Sequence, residues 1–134
     1  MSQENVESVR DVYDEWALGN MTAGVELFDT RVAFESFMPD ANERVSATGV
    51  EEVERFMREF LAQWRDFRIV GEEFRTAGDD IVFVSGRQTA TGRGSGIAVS
   101  DSLHSVWTFR QGAVVKLVFD RNWRRALEAA GLSA

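Results

Sequence analysis

A chain of 134 residues, 44% of them hydrophobic, is long enough for one domain with a core of its own and too apolar for a disordered segment. Its 22 acidic residues outweigh 15 basic ones, for a formal charge of −7, so phosphate backbones and anionic membrane surfaces are repelled and neither is an expected partner. The absence of cysteine rules out a disulfide, a thiolate nucleophile and a cysteine-ligated zinc, and a single histidine leaves no expectation of a metal or other cofactor.

The N-terminal "MSQENVESVR" has no apolar signal core, and no apolar run is long enough to span a bilayer. The expected location is cytoplasmic. From about Gln3 to Leu18, Val6, Val9, Val12, Tyr13 and Trp16 recur at helical spacing, with Gly19 as the stop. Thr22 can cap a short second helix running to Phe28. "RVAFESFM", residues 31–38, alternates like a strand and ends at Pro39, the only proline, before the polar loop "PDANERVSATG". Thr48 and Glu51 make a capping box for a helix whose apolar stripe runs Val50, Val53, Phe56, Met57, Phe60, Leu61 and Trp64.

Strand patterns follow. "DFRIVGEEFRT" leads to the turn "AGDD", "IVFVSGRQTA" to "TGRGSG", and "IAVSDSLHSVWTFR" to "QG". "AVVKLVFDR" is the last strand, and "NWRRALEAAG" closes the chain as a helix stopped by Gly131. Helices lead and an antiparallel meander follows, which predicts a single α+β domain over residues 1–134, without repeats or linkers.

This order, with "VYDEWALGN", "FRQGAVVKL" and "RALEAAGL", resembles the SnoaL-like group of the nuclear-transport-factor-like superfamily, which includes ketosteroid isomerases and polyketide cyclases. The resemblance spans nearly the whole chain. It implies a cone, in which a bent antiparallel sheet wraps the N-terminal helices and leaves a central pocket. It also implies a homodimer formed through the outer face of the sheet. The catalytic groups of the group do not carry over. The isomerase general-base aspartate aligns with Phe34, the second acid with Ser105, the oxyanion tyrosine with Val12 beside Tyr13, and the cyclase aspartate with Phe119. All four positions depart from the pattern, which weighs against steroid isomerisation and against cyclisation by the known route.

His104, the lone histidine, stands one residue ahead of the place where many SnoaL-like chains carry one, and one residue in a strand is a change of face. A three-residue loop with Gly112 left-handed pairs Phe109 with Ala113, Trp107 with Val115 and Ser105 with Leu117, and sets His104 opposite Val118 on the outward side. His104 then belongs to the dimer face with Val106 and Val118. A two-residue loop, or a bulge between His104 and Val106, turns it inward instead.

Other features have plainer readings. "TGRGSG" lacks the lysine of a phosphate loop and precedes a strand, so it reads as a hairpin loop. The acidic clusters "EEVERFMRE" and "GEE" have no histidine at ligand spacing and read as solvated faces. Glu35 points away from Phe34 by alternation and reads as a rim acid.

The inward residues expected to meet a ligand are Trp16, Phe34, Ser105, Trp107, Leu117, Phe119 and Arg121. Ser105 would be the polar anchor and Arg121 the mouth residue able to meet an anion, although ordinary core packing for the aromatics and solvent exposure for Arg121 are the competing readings. Ser105→Ala, nearly isosteric, should then leave the fold intact. Two functions follow. One is a protein that binds a small apolar molecule. The other is an enzyme of the isomerase, cyclase or hydratase type, acting on an apolar or polyketide-like substrate through Tyr13, Ser105 or an inward His104.

Overall fold

The computed structural model describes residues 2–37 and 44–132. Helix α1 (Ser2–Ala17) buries Val9, Val12, Tyr13 and Trp16, the stripe expected from their spacing. It ends at Gly19, whose φ is +96°, and the amide of Asn20 returns to the carbonyl of Glu15 across the last turn. The expected helix from Thr22 to Phe28 does not form. It is reduced to a 3₁₀ turn, Val25–Leu27, entered through a left-handed Gly24, and Thr22 spends its hydroxyl on the side chain of Asn20.

Strand β1 (Phe28–Phe37) starts three residues before the alternating stretch, and the expected end at Pro39 lies outside the described residues. The polar segment after it holds an unexpected strand, β2 (Arg44–Thr48), paired antiparallel with β1. Only Ala47 on β2 is buried, and the alternation of Val45 and Ala47 is too short and weakly apolar to announce a strand.

Helix α2 (Val50–Leu61) begins one residue later than a Thr48 cap requires. Its cap is Gly49, and the reach-back to the Thr48 amide comes from Glu52 at 3.0 Å rather than from Glu51. Trp64 is not on this helix. It opens strand β3 (Trp64–Ala77), which is followed by β4 (Ile81–Gly92), β5 (Ala98–Arg110), β6 (Ala113–Asp120) and helix α3 (Trp123–Ala130). Asn122 caps α3 through the Arg125 amide at 2.9 Å, and left-handed Gly131 stops it.

The six strands lie in the order β2-β1-β6-β5-β4-β3. The sheet is mixed, since β1 and β6 run parallel where an antiparallel sheet was expected. The parallel pair follows from the chain's route: β1 is made first, and the meander β3 to β6 brings its last strand back beside it. β3 and β4 slip in register between Gly71 and Glu73. There a Cβ on Gly86 would stand 2.1 Å from the Val70 carbonyl oxygen, so only glycine lets the two backbones approach this closely.

Two cores form, one on each face of the sheet. On the concave side Val9, Val12, Tyr13 and Trp16 of α1 meet Val32, Phe34, Val82, Val84, Trp107, Phe109, Leu117 and Phe119. On the convex side Phe83, Val106 and Val118 are covered by Ala126, Leu127 and Ala130 of α3. The face expected to carry a dimer is therefore occupied by the chain's own last helix. An eight-residue helix with a strongly one-sided apolar stripe has to bury that stripe somewhere, and the apolar outer face is adjacent.

Candidate functional site

The hairpin joining β5 and β6 decides which side chains face inward. Gln111 and Gly112 both have positive φ, 52° and 80°, and close a two-residue loop of the mirror-image type that right-twisted strands prefer. Arg110 pairs with Ala113 and Phe109 with Val114, and a bulge then shifts the register so that Trp107 meets Leu117, Ser105 meets Phe119 and His104 meets Asp120. Neither loop considered from the sequence gives this pairing by itself. The bulge adds a second one-residue shift to that of the shorter loop, and two such shifts restore the face, so Ser105, Trp107, Leu117 and Phe119 share the concave face and His104 stays on the convex one.

Between α2, the α1–β1 connection and the concave face lies a cavity of about 240 Å³. Val53, Phe56, Met57, Phe60 and Leu61 supply the helical wall, and Met21, Ala23, Val25 and Phe28 supply the connecting segment. Trp16, Phe34, Ile69, Leu103, Leu117 and Phe119 line the rest. Neighbouring rings touch: Phe34 lies 5.3 Å from Phe56 and 5.9 Å from Phe119, and Trp16 lies 6.0 Å from Phe119, centroid to centroid. The polar side chains on its border are Thr22, Ser36, Glu54, Arg58, Gln88 and Arg121. Glu54 and Arg58 are exposed, and Arg121 is half-buried with its guanidinium 2.9 Å from Asp101.

Of the seven residues expected to meet a ligand, Trp16, Phe34, Leu117, Phe119 and Arg121 border this cavity. Ser105 and Trp107 do not. They sit one layer behind it, fully buried, in a closed hydrogen-bonded cluster. The indole of Trp107 donates to Ser105 Oγ at 2.9 Å, and the Tyr13 hydroxyl shares a hydrogen with the same oxygen at 2.5 Å. Ser105 was expected to be the anchor of a pocket; its hydroxyl is instead consumed by two core neighbours. Burial pushes the Tyr13 phenol well above its ordinary range, against the hydrogen bonds from Ser105 and Trp107, so it stays protonated. Residues missed from the sequence are those of the α2 stripe, seen there only as the apolar face of a helix, together with Ser36 and Gln88. Alternation sets Ser36 on the inward side of β1 with Phe34, a signal that was available.

His104 is on the opposite side of the sheet, buried, with Nδ1 3.0 Å from Ser85 Oγ. Its ring stacks over Phe83 at 6.2 Å and meets the edge of Trp123 at 5.1 Å. Desolvation lowers its pKa, and the nearby charge of Asp120 opposes this only in part. Asp120 is itself buried and gripped twice by the Arg125 guanidinium, through Nε at 2.5 Å and Nη2 at 2.8 Å. Ser85, His104 and Asp120 thus form a row across three strands, yet none borders the cavity. Glu35, also outside the cavity, pairs with Arg44 at 2.8 Å and Lys116 at 3.6 Å. Among the described residues no group of His, Asp and Glu side chains is placed to hold a metal ion.

A bent six-stranded sheet with helices in its concavity and an apolar cavity between them is the cone architecture that the sequence resemblance implied. The SnoaL-like domain family matches residues 9–117, and the chain belongs to that family. No match was found among curated proteins. Solved structures share the fold at low identity. An NTF2-like protein of unknown function from Burkholderia pseudomallei superposes with a TM-score of 0.74 at 19% identity, over 94% of this chain and 96% of its own. Bal32a, from a soil-derived mobile gene cassette, gives 0.77 at 20%, over 96% and 97%. TerC, co-crystallised with polyporic acid, gives 0.73 at 17%, over 94% and 96%.

Proposed function

We propose that the protein binds a small apolar molecule in the cavity between α2 and the concave face of the sheet. The observation that carries this reading is the composition of the walls. Seventeen of the side chains around the cavity are apolar, and the charged ones stand at its border rather than in its depth. An apolar space of this size gains from an apolar guest and offers a water molecule few partners. TerC, of the same fold, was crystallised with polyporic acid, which supports a ligand-holding use of this architecture. The competing isomerase, cyclase or hydratase reading needs an acid or base against the ligand. Tyr13 and Ser105 are engaged with each other behind the wall, His104 faces away, and Glu54, the carboxylate on the border, is exposed to solvent, so the binding reading is favoured.

We place this role in the cytoplasm, on the cysteine-free composition, and in a homodimer, on the family resemblance. No helix among the described residues is long and apolar enough to cross a membrane. With α3 over Val106 and Val118, a dimer has to use sheet surface beyond that helix, such as the region around the exposed Val70. The binding reading is tested by isothermal titration calorimetry with hydroxylated aromatic probes on the wild type and on Leu103→Glu, which sets a carboxylate on the wall. Micromolar binding lost at least tenfold in Leu103→Glu is expected. Equal affinity in both proteins would refute it.

A further inference from the structure

Trp107 stands one layer behind the wall of the cavity, in contact with residues that line it. Its indole lies 5.7 Å from the ring of Trp16 and 6.5 Å from that of Phe28, and Leu117 is its partner across the strands; all three line the cavity. Trp107 is held there by chemistry as well as by packing. Ser105 takes its N–H, Tyr13 engages Ser105, and the Tyr13 ring stands 6.1 Å from the indole. All three side chains are buried, and each polar atom in the cluster has a partner, so the indole cannot swing aside without stranding one of them. The wall formed by Trp16, Phe28 and Leu117 is therefore backed by a fixed layer.

We propose that the Tyr13–Ser105–Trp107 cluster is a rigid plug that sets the depth of the cavity and restricts its occupant to a one- or two-ring apolar molecule. The inference rests on the binding reading above and adds the size class and the residue that imposes it. The size follows by proportion. An apolar protein cavity of about 150 Å³ takes benzene, with its six carbons. At that ratio the present cavity, about 240 Å³, takes about ten non-hydrogen atoms, the size of a fused pair of rings. The half-buried polar side chains on the lining, Ser36 and Gln88, suit a single hydroxyl or carbonyl on the ligand.

The test is a series of one chemistry and increasing size: phenol, 2-naphthol and 9-phenanthrol, titrated calorimetrically into the full chain. Unspecific partition onto apolar surface strengthens with each added ring. A depth limit reverses that order at the third ring. The wild type should bind 2-naphthol at least tenfold more tightly than 9-phenanthrol. Trp107→Leu, which shortens the plug, should raise the affinity for 9-phenanthrol at least tenfold. A general loss of packing would instead weaken every probe. Leu117→Trp, which fills the cavity from its wall, should lose 2-naphthol at least tenfold while keeping phenol, and it carries the test if Trp107→Leu does not fold. If the wild type binds 9-phenanthrol as tightly as 2-naphthol, the size limit fails and the binding reading survives. If neither phenol nor 2-naphthol binds, both fail.

Discussion

Ser105→Ala exchanges one oxygen for nothing, and on the sequence alone it looks structurally silent. The packing predicts otherwise. Ser105 Oγ is the common partner of the Trp107 indole N–H and the Tyr13 hydroxyl, and all three residues are buried. Removing the oxygen leaves two polar groups in a dry core. A stranded buried group costs about 1–3 kcal/mol, so the change should destabilise the protein by roughly 2–6 kcal/mol. Tyr13→Phe breaks one of the same bonds but leaves Ser105 joined to Trp107, and should cost only about 0.5–1.5 kcal/mol. The order matters more than the sizes: the smaller chemical deletion does the greater damage, because it removes the hub. Urea denaturation followed by tryptophan fluorescence measures both. A domain of this length should lose roughly 4 °C of melting temperature per kcal/mol, which gives a second reading. If Ser105→Ala costs no more than Tyr13→Phe, the hub does not exist and the plug built on it loses its rigidity.

Three further outcomes are expected. Arg125→Ala leaves the buried Asp120 carboxylate without the guanidinium that grips it, and should lower stability by about 1–3 kcal/mol, discounted because Arg125 is itself half exposed; urea midpoints for Arg125→Ala and Arg125→Lys check this. His104 has a folded-state pKa below its ordinary 6.5, so the unfolded chain takes up a proton first as pH falls. Its contribution is intact above pH 6.5 and is lost as pH drops from there through the folded pKa, so the wild type should weaken more than His104→Gln between pH 7.5 and 5.5; parallel midpoints would refute this. Light scattering should return twice the chain mass at high micromolar concentration, and a single chain mass would refute the dimer.

The elements legible in the sequence are those with strong one-sided patterns. The stripes of α1 and of the Val50–Leu61 segment, the alternation of the later strands and the Gly131 stop of α3 all appear in place. What escaped was structure whose cause is a neighbour. β2 buries one residue and is a strand only because β1 offers it a hydrogen-bonding edge. Thr22 looked like a cap, but a left-handed Gly24 two residues on redirects the backbone and leaves room for a single turn. The parallel β1–β6 pair has no local signature at all, since it depends on where a meander of four strands returns.

The candidate site divides along the same line. Face assignment was legible because alternation fixes it: Ser105, Trp107, Leu117 and Phe119 do share one side. Layering within that side was not. Whether an inward residue meets a cavity or the next core residue depends on what stands opposite, and α1 delivers Tyr13 and Trp16 over Ser105 and Trp107, while α2 touches the sheet through Phe56 on Phe34 and borders the space together with Leu117 and Phe119. His104 shows how two local unknowns can cancel. A two-residue loop shifts the register by one residue, a bulge after Phe109 shifts it by one more in the same direction, and the ring ends on the convex side because two such shifts make a full pleat. That side was expected to be a dimer face because its side chains are too apolar for water. The physical demand was real, and α3 meets it from within the same chain. An apolar strand face thus specifies that something must cover it, while the identity of the cover is written in another segment, here the stripe Ala126, Leu127 and Ala130.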